Sequence, residues 1–555
     1  IGSFYYTKEG YDNKNPNFGS TYPDYNGGVG ILFEQGSSRG IRQQSENGIV
    51  TLGHTARNQL VAAIATIDAA NGNRKELFDL QKEFFTVTGK SDKSSYIVGD
   101  EYDRGRVNKF LRLLLAHRLD VYENANDVTV GGVTYKKGTS YIIPVAQPNS
   151  ALVQIIFDDK KDYPDVAKLG YGAGFSIAYS TGLSYAKLAN PARGNKVEAV
   201  KAIETAAFRE SKYAYLVDFR DSKSQQFLFR LLEKEVLVKA AFKSFSLDTG
   251  EGVRDFPAGT LLIPVSLQSI PSAELYALLK ELGAKEEIEI TPVATGYSAK
   301  GVDLGSSAFR TVNRPSVLVI SGAGTSSTEV GEVWHLFDIK LRYPVVRVES
   351  ANFSRIPLSD FNRIVLTNGA YASLDASALQ SLREWIRRGN TLITTGLASQ
   401  WAVSRLIETP SAGRAGRDSA RVDEAIANPF AQRDRGGRVP TSVFETKIRL
   451  DHPIAFGLTS ELLPVIRESV PSLQATGNPV SRYTEKPLLN GYIDETALAR
   501  FKEAASIQVN SYGAGNIVLF GENPLFRGIW DATERTFINA VLFGDKAGGG
   551  IGRYF

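Results

Sequence analysis

The 555-residue chain contains no cysteine, no methionine and only four histidines. Without cysteine there are no disulfides, no thiolate metal sites and no cysteine nucleophile; that usage suits an oxidising compartment. No apolar run approaches the ~18–20 residues of a membrane helix, so no transmembrane segment is expected. Excess charge is also scarce: 64 Lys and Arg face 60 Asp and Glu, for a net charge of +4. The two signs are interspersed, and no basic stripe with interleaved aromatics marks a nucleic-acid partner. Ordinary usage would supply about ten methionines. The chain begins at Ile1 with no initiator and no signal-peptide pattern, and Ile1 reads as a cut end. What is present is ordinary: 43% apolar and 22% charged residues describe a globular protein. Its length predicts three or four domains at roughly 100–200 residues each.

The first 30 residues are rich in Gly, Asn, Pro and Tyr and read as loop. Val29-Gly30-Ile31-Leu32-Phe33 is then a short apolar run that reads as a buried strand ending in Glu34-Gln35-Gly36-Ser37-Ser38-Arg39-Gly40. From about Thr55 to Phe85 the pattern is helical, with Leu60, Ile64 and Ile67 on one face. Strand, glycine turn and long helix together predict the end of an α/β domain over residues 1–90.

Residues 95–150 and 212–268 resemble each other. Tyr96-Ile97-Val98 matches Tyr215-Leu216-Val217, and the helical stripe Phe110, Leu111, Leu114, Leu115 matches Phe227, Leu228, Leu231, Leu232. Gly138-Thr139-Ser140-Tyr141-Ile142-Ile143-Pro144-Val145 matches Gly259-Thr260-Leu261-Leu262-Ile263-Pro264-Val265, each proline ending a strand it cannot continue. A duplicated α/β middle region over 91–311 is predicted, built as strand, helix, strand and hairpin. It carries no acid–base or metal constellation and reads as scaffold.

From Arg314-Pro315 onward, strands at Val317–Ile320, Val345–Val348, Ile364–Leu366, Leu392–Thr395 and Ile517–Phe520 alternate with helices at Val330–Lys340, Ala376–Arg388 and Thr533–Phe543. Apolar strands separated by helices predict a doubly wound parallel sheet for residues 312–555. Residues 409–440, rich in Arg, Gly, Ala and Asp, read as an insertion loop.

Glu34 is the first chemical candidate. A carboxylate after an apolar strand is costly to bury unless paired, protonated or solvated in a cleft, and α/β proteins build sites at strand C-terminal ends. Considered alone, such a Glu is more often a solvated edge residue. His54, His117, His335 and His452 show no H-x-x-E, H-x-H or H-E-x-x-H spacing, so no zinc pair is visible. Gly322-Ala323-Gly324-Thr325-Ser326-Ser327 could turn backbone amides toward an anion. It lacks the lysine of a phosphate-binding loop, and a tight turn with an N-cap explains it better. Thr394-Thr395-Gly396-Leu397-Ala398-Ser399-Gln400 has the outline of a nucleophile elbow, but Ser399 falls outside G-x-S-x-G spacing.

Taken in order, these segments resemble the carboxypeptidase A superfamily of zinc metallopeptidases, in a bacterial group with long C-terminal extensions. The residues that carry the likeness are Tyr5-Tyr6-Thr7-Lys8-Glu9-Gly10-Tyr11-Asp12, Tyr22-Pro23-Asp24-Tyr25 and Gly30 through Gly40, followed by Arg57-Asn58-Gln59 and Asn73-Arg74-Lys75-Glu76-Leu77. Residues 314–545 resemble the class I glutamine amidotransferase-like domain at the C-terminus of that group. The supporting stretches are Gly331-Glu332-Val333-Trp334-His335-Leu336, Asn523-Pro524-Leu525-Phe526-Arg527 and Asn539-Ala540-Val541-Leu542-Phe543-Gly544.

The resemblance implies hydrolysis of a peptide or amide bond by a Zn²⁺-activated water. Glu34 would be the general base and then the acid, with a substrate-covering tyrosine for which Tyr11 is the nearest match and Tyr5, Tyr6 and Tyr22 compete. It places the zinc ligands upstream of Ile1 and the protein in the periplasm or outside the cell. The amidotransferase-like domain, lacking cysteine, is expected to be a structural or binding module. Two other readings stand beside this one: a non-catalytic binding or assembly subunit, in which an oligomer or complex is open, and a small-molecule site near Gly322 and Gly324.

Overall fold

The computed structural model describes residues 16, 18–46, 48–87, 91–161, 174–203, 208–407, 439, 441–469, 473–476, 479–502 and 504–548. It is a mixed α/β chain with several sheets. The predicted loop at 409–440 lies almost wholly outside the described residues.

The N-terminal part is thin. A single turn of helix at Tyr22–Asn26 leads to a stretch without regular structure, then to a hairpin that pairs Arg42–Ser45 with Gly48–Thr51. Helices α1 (Leu52–Gly72) and α2 (Arg74–Val87) follow, separated at Asn73, where the sequence predicted one continuous helix. Thr51 caps α1 by accepting from the His54 N–H at 3.3 Å. The expected buried face does not form: Leu60, Ile64 and Ile67 are 60%, 50% and 66% exposed, and α1 buries only Thr55 and Asn58.

The two similar stretches form two five-stranded antiparallel sheets. The first contains β1 (Ser95–Gly99), β2 (Tyr122–Asn124), β3 (Ser140–Pro144), β4 (Ser184–Leu188) and β5 (Arg193–Lys196), in the order β4-β1-β3-β2-β5, and it carries α3 (Arg104–Ala116). The second contains β6 (Ala214–Val217), β7 (Lys239–Ala241), β8 (Leu261–Pro264), β9 (Thr291–Val293) and β10 (Phe309–Thr311), in the equivalent order β9-β6-β8-β7-β10, with α4 (Lys223–Glu233). Pro144 pairs with Ser95 and Pro264 with Ala214 at matching sheet ends. Phe110 and Leu114 of α3, and Phe227 and Leu231 of α4, are buried against their sheets. Each such side chain contributes about 1.5–3 kcal/mol.

Both helices also end alike. The Arg118 N–H reaches the Leu115 carbonyl and the Leu119 N–H the Leu114 carbonyl. Glu235 and Val236 repeat the pattern on Leu232 and Leu231. This is the Schellman arrangement, with Arg118 (φ 57°) and Glu235 (φ 58°) in the left-handed conformation that glycine usually takes.

The last part holds one nine-stranded sheet rather than an all-parallel one. Strands β11 (Val317–Ser321), β12 (Val346–Glu349), β13 (Arg363–Leu366), β14 (Thr391–Thr395), β15 (Ser442–Ile448), β16 (Leu462–Arg467), β17 (Ser481–Asn490), β18 (Ala505–Tyr512) and β19 (Gly515–Phe520) lie in the order β12-β11-β13-β14-β19-β18-β17-β15-β16. The first five are parallel and the other four antiparallel. The sequence reading missed the antiparallel wing because its strands do not alternate regularly with long helices; only the short helix Glu495–Ala499 stands between β17 and β18. Strand alternation splits two cores: Val317 and Val319 face one shared with the second repeat, and Leu318 and Ile320 face another under α6 (Ala376–Arg387). Helix α5 (Ser327–His335), continued by a π-turn through Leu341, and helix α7 (Asp531–Phe543) cover the first face.

A buried ionic junction ties the three folded parts together. Arg535 of α7 donates to the carbonyls of Phe219 (2.7 Å) and Arg220 (2.8 Å) and to the Asp103 carboxylate (3.2 Å). Asp103, the N-cap of α3, accepts from the Arg106 N–H and also from the Ser222 N–H at the start of α4. Asp221 returns the contact by accepting from the Gly105 N–H at 3.3 Å. Two helix N-termini thus exchange carboxylate caps across the repeat interface.

Candidate functional site

The run Val29–Phe33 is not a strand. Residues 29–39 form no regular secondary structure, and Val29, Ile31, Leu32 and Phe33 are 41–59% exposed. A central strand needs neighbours on both edges for its backbone groups, and no described strand lies beside this one. Glu34 is therefore exposed at the end of an uncovered apolar row.

Its neighbours are nevertheless fixed to the first turns of α1. Gln59 donates to the Phe33 carbonyl at 3.5 Å, Asn58 donates to the Gln35 side-chain carbonyl at 3.0 Å, and Ser38 pairs with Thr55 at 3.4 Å. Asn58 also lies 3.1 Å from His54 Nε2. The fold thus brings His54 and the residue after Glu34 onto one amide side chain. Tyr11 lies outside the described residues.

Zinc was expected from the resemblance. Among the described residues, no group of three His, Cys, Asp or Glu side chains could hold a metal ion, so the described residues do not fit the metal. The histidines are dispersed. His117 pairs with Tyr22, while His335 ends α5. His452 is wedged between the Ile454 N–H and the Ala547 carbonyl, and burial pushes its pKa down to about 4, so it stays neutral.

At the strand ends of the large sheet, the glycine turn is occupied by its own chain. Ala370 N–H donates to the Gly324 carbonyl (2.9 Å) and Ser326 N–H to the Asn368 carbonyl (2.8 Å), which zips the loops after β11 and β13 together. Ser326 caps α5 through the Glu329 N–H. The elbow after β14 is real in shape, and its residue is Gly396, with φ 53° and ψ −124°. A side chain there would begin 2.8 Å from the Asn368 Oδ1, which already accepts from the Leu397 N–H. Ser399 is buried, shared between Thr394 Oγ1 (2.8 Å) and the Phe520 carbonyl (2.7 Å), so it is structural.

The sequence reading missed Glu329. Ser326-x-x-Glu329 looks like a capping box, but the carboxylate crosses to accept from Thr395 Oγ1 (2.8 Å) and the Asn368 N–H (3.1 Å). Burial raises its pKa to about 7. Only the pairing of β11, β13 and β14 creates that position.

No family model matches the chain, and no curated protein matches it. Among solved structures, it is similar to a beta-galactosidase from Bacillus circulans sp. alkalophilus at 13% identity, covering 49% of this chain and 34% of that one with a TM-score of 0.21. It is also similar to the exo-beta-1,4-mannosidase Op5Man5 from Opitutaceae bacterium strain TAV5 (10% identity, 42% and 37% coverage, TM-score 0.18). A beta-galactosidase from Rahnella sp. R3 gives 11% identity, 48% and 33% coverage and a TM-score of 0.20. The match spans about a third of the length of each. Likeness at that level says nothing of activity. No helix among the described residues is long and apolar enough to cross a membrane.

Proposed function

We propose that the protein acts as a zinc-dependent carboxypeptidase-type hydrolase of a peptide or amide bond, with Glu34 as general base and then acid. The observation that carries this reading is the setting of Glu34. It is a solvated carboxylate ending a row of uncovered apolar side chains, pinned through Phe33 and Gln35 to an equally uncovered helix. Apolar runs of this kind belong in the covered layers of an α/β domain, and a carboxylate at their end would then border a strand-end crevice. The chemistry of this chain's own residue is to take a proton from water and return it to the leaving amine. By the family resemblance Tyr11 is the nearest match to a substrate-covering tyrosine, with Tyr5, Tyr6 and Tyr22 as competitors. The same resemblance makes residues 312–555 an amidotransferase-like module without catalysis of its own. Its supports are the absence of cysteine and the bare, filled elbow at Gly396. The setting would be periplasmic or extracellular.

One observation favours the second reading, a non-catalytic binding or assembly subunit: no described group of residues could hold a metal. Zinc content and hydrolysis of C-terminally free peptides by the full-length protein separate the two. Glu34→Gln is expected to lower kcat roughly 100- to 10,000-fold at unchanged zinc content. Undiminished turnover in that variant removes Glu34 from the mechanism. A wild-type protein with neither zinc nor turnover establishes the second reading.

A further inference from the structure

A cleft of about 430 Å³ lies between the N-terminal part and the first repeat, lined by Tyr22, Asn26, Phe85, Ala116, His117, Arg118, Pro148 and Asn149. Its size is that of a small-molecule site. The Tyr22 hydroxyl lies 2.8 Å from His117 Nδ1. A phenol is the better donor and a neutral imidazole nitrogen the better acceptor, so the hydroxyl donates and the ring proton stays on Nε2. Burial lowers the pKa of His117 below its ordinary value, which favours that neutral form.

Arg118 occupies the left-handed position that closes α3, held by the Schellman bonds described above. Asn149 locks the turn by donating to the His117 carbonyl at 3.0 Å. Arg118 has no ion-pair partner among the described residues. Of the other walls, Phe85, Ala116 and Pro148 are apolar and Asn26 is polar. The equivalent turn of the second repeat has Lys234-Glu235 in place of His117-Arg118, so the cationic cleft belongs to the first repeat alone.

We propose that this cleft binds a small carboxylate with an apolar body, the carboxylate on the Arg118 guanidinium and the His117 Nε2–H, and the body against Phe85 and Pro148. A guanidinium fork matches a carboxylate in two parallel bonds, and a neutral imidazole adds a donor. The site is separate from Glu34 and does not depend on the reading given to it.

Isothermal titration of the full chain with phenylacetate tests the proposal, with phenylacetamide and inorganic phosphate as comparison probes. Saturable phenylacetate binding is expected, at least tenfold tighter than either comparison probe. Arg118→Gln should weaken it at least tenfold. Arg118→Gly, which suits the left-handed backbone, should weaken it equally, so that a folding defect is not mistaken for lost affinity. Tyr22→Phe should weaken it only a few-fold. No saturable binding, equal binding of phosphate or phenylacetamide, or unchanged binding in both Arg118 variants would overturn it.

Discussion

Asp103 and Asp221 stand at equivalent points of the two repeats, four residues after β1 and β6, and each accepts from the backbone of the other repeat's helix. Their environments push them in opposite directions. Asp103 is buried, which alone would raise its pKa, but Arg106 and Arg535 outweigh that and hold it below the ordinary value. Asp221 is buried too but has no ion-pair partner among the described residues, and Arg535 does not offset its burial; burial first and the Asp103 charge second raise it from 3.8 to about 6. A duplicated backbone therefore does not duplicate electrostatics. Two cations break the symmetry: Arg106, whose counterpart in the second repeat is Ser224, and Arg535, from outside both repeats.

The largest expected effect comes from removing Arg535. Arg535→Ala leaves Asp103 with Arg106 alone and orphans the buried Phe219 carbonyl and the half-buried Arg220 carbonyl, and should cost about 3–5 kcal/mol in urea unfolding. A loss below about 1 kcal/mol would mean the junction is not what joins the repeats to α7. Next, Asp103→Asn should cost about 2–4 kcal/mol at pH 7, whereas Asp221→Asn should stay within about 1 kcal/mol.

The pH dependence sharpens the same contrast. For Asp221 the folded chain binds more protons than the unfolded one between 3.8 and about 6. Its stabilising contribution is complete below that window and lost as pH rises through it. For Asp103 the contribution is present above the ordinary carboxylate value and lost as pH falls below it. Asp221→Asn should therefore flatten the stability profile between pH 4 and 6 by about 1–2 kcal/mol, allowing for partial solvent access. An unchanged slope in that variant would reassign the titration to another group. The smallest effect is expected where the repeats agree: Glu235→Gly, at a left-handed position, should stabilise the protein by about 0.5–1 kcal/mol in thermal unfolding.

The repeats were legible because their strongest signals are local. A helical stripe such as Phe227, Leu228, Leu231, Leu232 and a strand stopped by Pro264 depend on neighbours a few residues away. Strands β4, β5, β9 and β10 were not legible. They are short, of mixed polarity, and take their place only by pairing with β1, β2, β6 and β7. The apolar run at Val29–Phe33 shows the opposite failure: its composition is that of a buried strand, but no described strand pairs with it. In the candidate sites, Glu34 could be named from its position after that run. The pairing of His117 with Tyr22 spans 95 residues, and His117 alone reads as the end of an apolar helix.

The sequence by itself determined what chemistry is closed to this chain: no thiol reaction and no disulfide. It also determined the helix stripes and proline-ended strands of the repeats, because residue type and short-range spacing suffice for those. Only the tertiary structure decided where charge is tolerated. Asp103, Asp221 and Glu329 are ordinary letters in the sequence. Their ionisation and their partners depend on burial and on groups tens to hundreds of residues away, and electrostatic energy follows distance in space rather than distance along the chain.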